Sequence, residues 1–364
     1  MLSTCGEIRK PPDSLTCDRC LRSIIPAPEA AMSTKPATRR SFLRQGIGTA
    51  AWALNVARAG AASSPSTATG GGRSRVVVAC DSKVRNAAAS FDSAQVAKLL
   101  DRAMQASFNV DSPLEAWKQV VRPGEVVGLK VNSLGGRGNA THPELVEAIT
   151  ERLRAAGITE IVIWERQNSD LERARFKIVE HGQGLRCFGN DTLGFEDDLA
   201  TFGQAGSRVC RTLTQVCDAV INLPVLKDHG IAGVTLALKS MFGAIHNPNK
   251  YHSNCGDPYV ADVNMLAPIR QKLRLHICDG LNAQYEGGPS FMPQWMWPFN
   301  GLLVSRDPVA LDYVGWKIIE KKRLEMGAPS LREQKREPAY ISTASDAEHR
   351  LGTCDPKRIE RVEI

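Results

Sequence analysis

The chain has 364 residues, enough for one large or two ordinary domains with a substantial core. Its formal charge of +7 is concentrated at one end: residues 1–61 hold nine Lys/Arg against four Asp/Glu (+5), and the remainder holds 37 against 35 (+2). A nearly neutral body, with five tyrosines and ten phenylalanines scattered and no aromatic–basic interleaving, lacks the electrostatic footprint of a nucleic-acid binder.

The basic excess belongs to a leader, 1–61. Thr38-Arg39-Arg40-Ser41-Phe42-Leu43-Arg44 looks like a twin-arginine export signal, followed by a weakly apolar run, 46–56, and small residues at 57–62. The apolar run is too short to cross a bilayer as a helix, and its flanks suit cleavage, so no stable membrane span is expected. This reading places the protein in the periplasm or otherwise outside the cytoplasm, with the twin-arginine translocase as a transient partner. Met32 would set the signal at the usual distance from an initiator, making 32–61 the signal peptide and 1–31 an untranslated extension. Cys17-Asp-Arg-Cys20 falls in that extension and has no second cysteine pair near it.

Residues 62–74 are Ser/Thr/Gly-rich and read as a disordered tether. An α/β domain is predicted over 75–322, starting with a strand at 75–80. A helix over 93–108 carries Val96, Leu99, Leu100 and Met104 on one face. A helical pattern at 117–121 stops at Pro123-Gly124, and a strand at 126–131 leads into the glycine-rich loop 133–139. Pro143 opens an amphipathic helix, 143–156, that ends at Gly157. A strand at 160–164 precedes a stretch, 166–217, with many charges and no dominant period, read as short elements and loops. The apolar run 219–223 suits a buried parallel strand, broken at Pro224 because proline lacks the ladder donor. Lys227, Asp228 and His229 follow, and 231–245 reads as a buried helix containing Lys239. Beyond it come a helix at 259–273 broken near Pro268, a strand at 274–278 and another at 301–304. Asp307-Pro308 starts a helix at 309–322, and 323–364 reads as a polar tail. Short apolar runs alternating with polar clusters and helices predict an α/β fold: a mostly parallel open sheet with helices on both faces, in one or two lobes.

Each predicted strand ends in polar residues: Asp81, Lys130 with Asn132, Glu165, Lys227 with His229, Asp279, and Asp307. In a parallel sheet these ends share one edge, where ligand sites form. Caps and turns also explain the carboxylates, and Asp307 ahead of Pro308 suits that role. Lysine is not a cap, so Lys130 and Lys227 point to function. Lys239, inside an apolar segment, must reach an anionic partner or snorkel to water, with Asp279 or Asp228 as structural partners. His229, His252 and Cys255 are the candidate metal ligands, although their spacing matches no closed zinc pattern; otherwise the histidines donate hydrogen bonds to a ligand. Arg137 in the Gly135–Gly138 run could clamp an anion. The seven cysteines beyond the leader include Cys210 and Cys217, a possible disulfide in an exported protein, and Cys80, Cys217 and Cys278, read as buried small hydrophobes.

Lys130-Val-Asn132, Thr141-His142-Pro143, Asn222-Leu-Pro-Val-Leu-Lys227-Asp-His229, Val234-Thr235, Leu238-Lys239-Ser240-Met-Phe-Gly243 and Asp307-Pro-Val-Ala-Leu-Asp312 resemble the domain of unknown function 362 family. The resemblance covers roughly 75–320 and implies a fold and a site without a reaction. Some relatives carry a ferredoxin-like cysteine cluster, which this sequence lacks. The resulting expectation is a Lys/His-rich cleft for an anionic small molecule, a carboxylate or a phosphate. His229, Lys227 and Lys239 would do any chemistry, His229 as acid–base group, and Lys130, Asn132, Thr141, His142, His252 and Asp279 would bind the ligand. The alternatives are a non-catalytic periplasmic binding protein and a metal or iron–sulfur redox protein. No motif names a cofactor.

Overall fold

The structure is a computed structural model that describes residues 73–86 and 90–364; the leader 1–61 and residues 62–72 of the tether lie outside the described residues. Strands β1 (Ser74–Cys80), β2 (Val126–Val131), β3 (Glu160–Glu165) and β4 (Leu185–Gly189) precede a small hairpin, β5 (Ala200–Phe202) and β6 (Ala205–Ser207). Then come β7 (Ala219–Leu223), β8 (Val225–His229), β9 (Gly233–Thr235), β10 (Leu273–Gln284), β11 (Met296–Trp297), β12 (Gly301–Ser305) and β13 (Ile359–Glu363). All but the hairpin join one 11-stranded sheet in the order β13-β1-β12-β10-β7-β2-β3-β4, with β8 and β11 paired to β10 and β9 to β8.

The sheet is mostly parallel, as the alternation of strands and helices predicts. β10, β7, β2, β3 and β4 run parallel in succession, while β12 is antiparallel to both β1 and β10. Successive side chains of each strand enter two different cores, which is why the strands read as continuous apolar runs. Val77, Ala79, Leu129 and Ile163 pack with Leu99 and Leu100 of helix Ser93–Phe108 and Leu145 of helix Pro143–Ala155. Val76, Val78, Val162 and Trp164 face the opposite core, with Val260, Val309 and Leu311. Asp92 caps the first of these helices by accepting from Ala94 and Gln95, and Asp307 caps Pro308–Glu325 by accepting from Val309 and Ala310. The described residues form one compact unit, so the two-lobe alternative does not apply to them.

Four sequence expectations need correction. Residues 231–245 are not one helix: they begin as β9, antiparallel to β8, and only Ala237–Ser240 is α-helical, followed by a 3-10 turn. An apolar run has no period to separate buried strand from buried helix, and the β-branched Val234-Thr235 pair favours the strand. The segment from 323 is no loose tail, since Arg323 and Tyr340 are buried and β13 pairs in parallel with β1. The strand predicted to end at 278 continues to Gln284, which buries Asp279 inside β10. The described cysteines are free thiols, Cys210 and Cys217 included, and Cys80 is exposed, while Cys217 and Cys278 are buried.

Candidate functional site

β2, β3 and β7 are mutually parallel or joined through β2, so their carboxyl ends share one edge of the sheet. A cavity of about 360 Å³ lies there, lined among others by Asn132, His229, Thr235, Lys239, Ser240 and His252. Lys239 sits on the Ala237–Ser240 turn, whose backbone is held from three sides. Asp312 accepts from the amides of Ala237 and Leu238 at 2.7 and 3.0 Å, Asn222 donates to the Ala237 carbonyl, and Asn264 donates to that of Leu238. The lysine is 7% exposed, and its Nζ lies 3.9 Å from the centre of the Phe242 ring. It makes no ion pair or hydrogen bond among the described residues. The two carboxylates within its expected reach are engaged elsewhere: Asp228 with Arg336 at 2.8 Å and Asp279 with His142 at 2.9 Å. Burial without a counter-charge pushes the Lys239 pKa down to about 7.

His229, 6% exposed, accepts at Nδ1 from the amides of Ile231 and Ala232 at 3.2 and 3.1 Å. Amides only donate, so in the neutral ring the proton sits on Nε2. Burial, and then the charge of Lys239, depress its pKa to about 2. His252 stacks on it with ring centres 5.4 Å apart and is shifted downward by the same two causes. Three more buried polar atoms line this cavity without a hydrogen-bond partner: Asn132 Oδ1, Thr235 Oγ1 and Ser240 Oγ. Such groups are costly unless something satisfies them.

The remaining expected site residues are not gathered into this cavity. Lys130 is fully buried, with Nζ 2.9 Å from Glu165 Oε1 and 2.7 Å from the Val131 carbonyl; its charge is consumed by a protein carboxylate. Gly243 lies against that pair, and a Cβ there would come within 2.9 Å of Lys130 Nζ, so only glycine allows the turn after Lys239 to rest on it. Lys227 is fully buried and donates to the Asn139 carbonyl at 2.9 Å, lining neither of the two cavities at this edge. Burial lowers its pKa to about 7 as well, against the pull of Glu165 and Asp228. Thr141 and His142 line a second cavity, of about 290 Å³, and Asp279 stands behind His142 without lining either space. His229, His252 and Cys255 do not assemble as metal ligands: the Cys255 thiol faces the Lys335 carbonyl at 3.3 Å, and no group of three or more His, Cys, Asp or Glu suited to a metal occurs among the described residues.

Sequence reasoning missed two kinds of residue. Thr235, Ser240 and Asp312 stand in the motifs quoted above, but nothing in the spacing showed that the first two face a cavity and the third fixes their turn. Arg336 lies in the supposed tail and binds Asp228 and Glu286, while the fully buried Arg323 binds Glu286 at 2.6 Å. No local pattern could have paired Arg336 with Asp228, 108 positions away, or with Glu286, 50 positions away.

The described body is an α/β protein with an open sheet and a ligand-sized cavity at the sheet's carboxyl edge. The chain belongs to the family described as domain of unknown function (DUF362), whose model matches residues 127–317 and so covers the cavity-forming strands. No curated protein matches it. A crystal structure of a Thermotoga maritima protein, determined as a structural-genomics target, is similar at a TM-score of 0.40 and 10% identity, over 65% of this chain and 60% of that one. Among the described residues no helix is long and apolar enough to cross a membrane.

Proposed function

We propose that the Lys239 cavity binds a small organic acid, a carboxylate or phosphate that also carries a hydrogen-bond donor. The observation that carries this is the buried ammonium of Lys239, which makes no ion pair among the described residues; Glu165 and Asp170, the carboxylates lining the same cavity, are paired with Lys130 and with Arg166 and Arg173. A ligand anion would supply the missing charge, and its donor would meet Asn132 Oδ1. The Nε2–H of His229 and the hydroxyls of Thr235 and Ser240 would complete the shell. In the same reading His229 is a fixed donor and not an acid–base group, because its only lone pair is occupied by two amides. Any proton transfer near neutral pH falls to Lys239.

Binding should take up a proton. The Lys239 pKa of about 7 rises when an anion arrives, so above pH 7 the complex holds a proton that the free protein lacks. Affinity should therefore fall as pH climbs from about 7 to about 9, by up to tenfold per unit. Titration calorimetry with a panel of small carboxylic and phosphoric acids, in buffers of different ionisation enthalpy, measures both quantities. Binding without proton uptake at pH 8, or no binding by any member, removes Lys239 as the anion's partner.

The Arg39-Arg40 run supports export in folded form through the twin-arginine translocase, with 32–61 removed and the body delivered to the periplasm. Changing Arg39 and Arg40 together to lysine should hold the full-length precursor in the cytoplasm. Fractionation that finds the double variant exported at the ordinary level refutes the signal.

A further inference from the structure

The second cavity holds a cluster of cations around a histidine–carboxylate pair, on the other side of the loop 132–141 from Lys239. Asn132 borders the first space and Arg137 and Thr141 the second, and the loop's two ends are tied together by Thr141 N–H to the Asn132 carbonyl and Asn132 N–H to Thr141 Oγ1, each at 2.9 Å. His142 is 8% exposed and fixed from behind. Asp279 Oδ2 accepts from its backbone amide at 2.7 Å and meets its Nδ1 at 2.9 Å, while Oδ1 accepts from the Leu281 amide. Phe91 packs edge-on against the imidazole at 4.5 Å and lies under Arg85, whose guanidinium is anchored by Asn300, Asn282 and the Leu281 carbonyl. Nδ1 thus faces a carboxylate, and Nε2 has only the Asn282 amide, at a long 3.4 Å.

Arg137 and Arg175 reach the same cavity from two other segments. Both are exposed, and neither side chain makes a hydrogen bond or ion pair among the described residues. With Arg85 they bring three guanidinium groups to a space whose acidic lining, among the described residues, is Glu144. Arginine forks match tetrahedral oxyanions, and two unpaired forks facing a cavity with a held histidine at its wall suit a doubly charged one. We infer that this cavity is a second, separate binding site for a tetrahedral dianion, a phosphate or sulfate group, gripped by Arg137 and Arg175 and contacted by His142.

The charge of His142 should modulate binding. The groups facing it are Asp279 behind, Glu144 on its own helix, and Arg85 across Phe91, with Arg137 and Arg175 at the cavity mouth. Burial lowers its pKa, but the charge and hydrogen bond of Asp279, aided by Glu144, outweigh burial, and the net shift is upward. The imidazolium form therefore persists to higher pH than in a free histidine and adds a donor for the anion, which is lost as pH rises through the raised pKa.

Sulfate is the probe, because its own charge stays constant across the histidine range. Calorimetric titration of the folded protein with sulfate should show binding that weakens as pH rises through the raised pKa of His142. Arg137→Ala with Arg175→Ala, two exposed positions, should weaken it at least about tenfold with little change in melting temperature. Lys239→Met should leave sulfate affinity within about twofold of wild type, and histidine NMR should show the His142 ring titrating at higher pH when sulfate is present. Three results overturn the inference: no saturable sulfate binding, binding indifferent to the two arginines, or binding lost in Lys239→Met, which would assign the anion to the first cavity.

Discussion

Replacing Lys239 with methionine should abolish binding of the small acid and make the ligand-free protein more stable. The two effects separate a ligand-binding lysine from a structural one. A structural lysine would pair with a protein carboxylate, and removing it would strand that charge at a cost of about 3–5 kcal/mol. Here both expected carboxylates have other partners, and Nζ has only the face of Phe242. Methionine keeps the length and removes a buried charge, so a gain of about 1–3 kcal/mol is expected after subtracting the cation–π contact. The pH dependence has a definite sign. The folded pKa of about 7 lies below the unfolded lysine value, so between the two the unfolded chain binds more protons, and stability contributed by this group rises with pH. Below about pH 7 the ammonium is charged in both states and its burial penalty is fully felt. The advantage of the methionine variant should therefore be greatest below pH 7 and shrink toward pH 10. Lys227 titrates in the same direction in both proteins and cancels from the comparison. Thermal unfolding across that range, beside acid titrations, reads the outcome. A variant less stable than wild type would return Lys239 to a structural role.

How far the sequence disclosed this arrangement depends on whether the information was local. The strand at 126–131 and the helix at 93–108 were legible to the residue, since an apolar run ending in polar residues and a 3.6-residue periodicity are local signals. Asp307 before Pro308 was legible as a helix start for the same reason. That Lys130, Lys227 and Lys239 are all costly to bury was also legible, but not which of them has an internal partner. Glu165 reaches Lys130 from the adjacent parallel strand, where Lys130 registers with Trp164. Arg336 removes Asp228 from a distance of 108 residues, and β10 carries Asp279 past the strand end to His142. One cleft holding every lysine and histidine was the natural reading of a shared sheet edge. The loop 132–141 divides that edge into two cavities, and its course depends on Thr141 binding the Leu223 carbonyl, a contact between segments 82 residues apart.

Removing the carboxylate of Glu165 should have the largest effect on folding of any single change at this edge. Its Oε1 pairs with Lys130 at 2.9 Å and accepts from the Arg166 amide, and its Oε2 accepts from the Ser133 amide at 3.2 Å. The pair is almost entirely shielded, at 0% and 6% side-chain exposure, with Glu165 also bordering the Lys239 cavity. Glu165→Ala leaves a buried ammonium with only the Val131 carbonyl and the face of Trp164, and releases the start of the loop that separates the two cavities. A loss of about 3–5 kcal/mol is expected, a large part of the stability of an ordinary domain. Glu165→Gln keeps the shape and the amide acceptor at one oxygen, and should lose less while still stranding the charge. Lys130→Met combined with Glu165→Leu removes both charges together and should recover much of the single-mutant loss, because a buried pair replaced by apolar side chains is close to neutral. Denaturant unfolding of the wild type, the single variants and the double variant gives the coupling directly. A Glu165→Ala loss below about 1 kcal/mol, or a double variant worse than the sum of its parts, would mean that the ion pair does not hold this edge together.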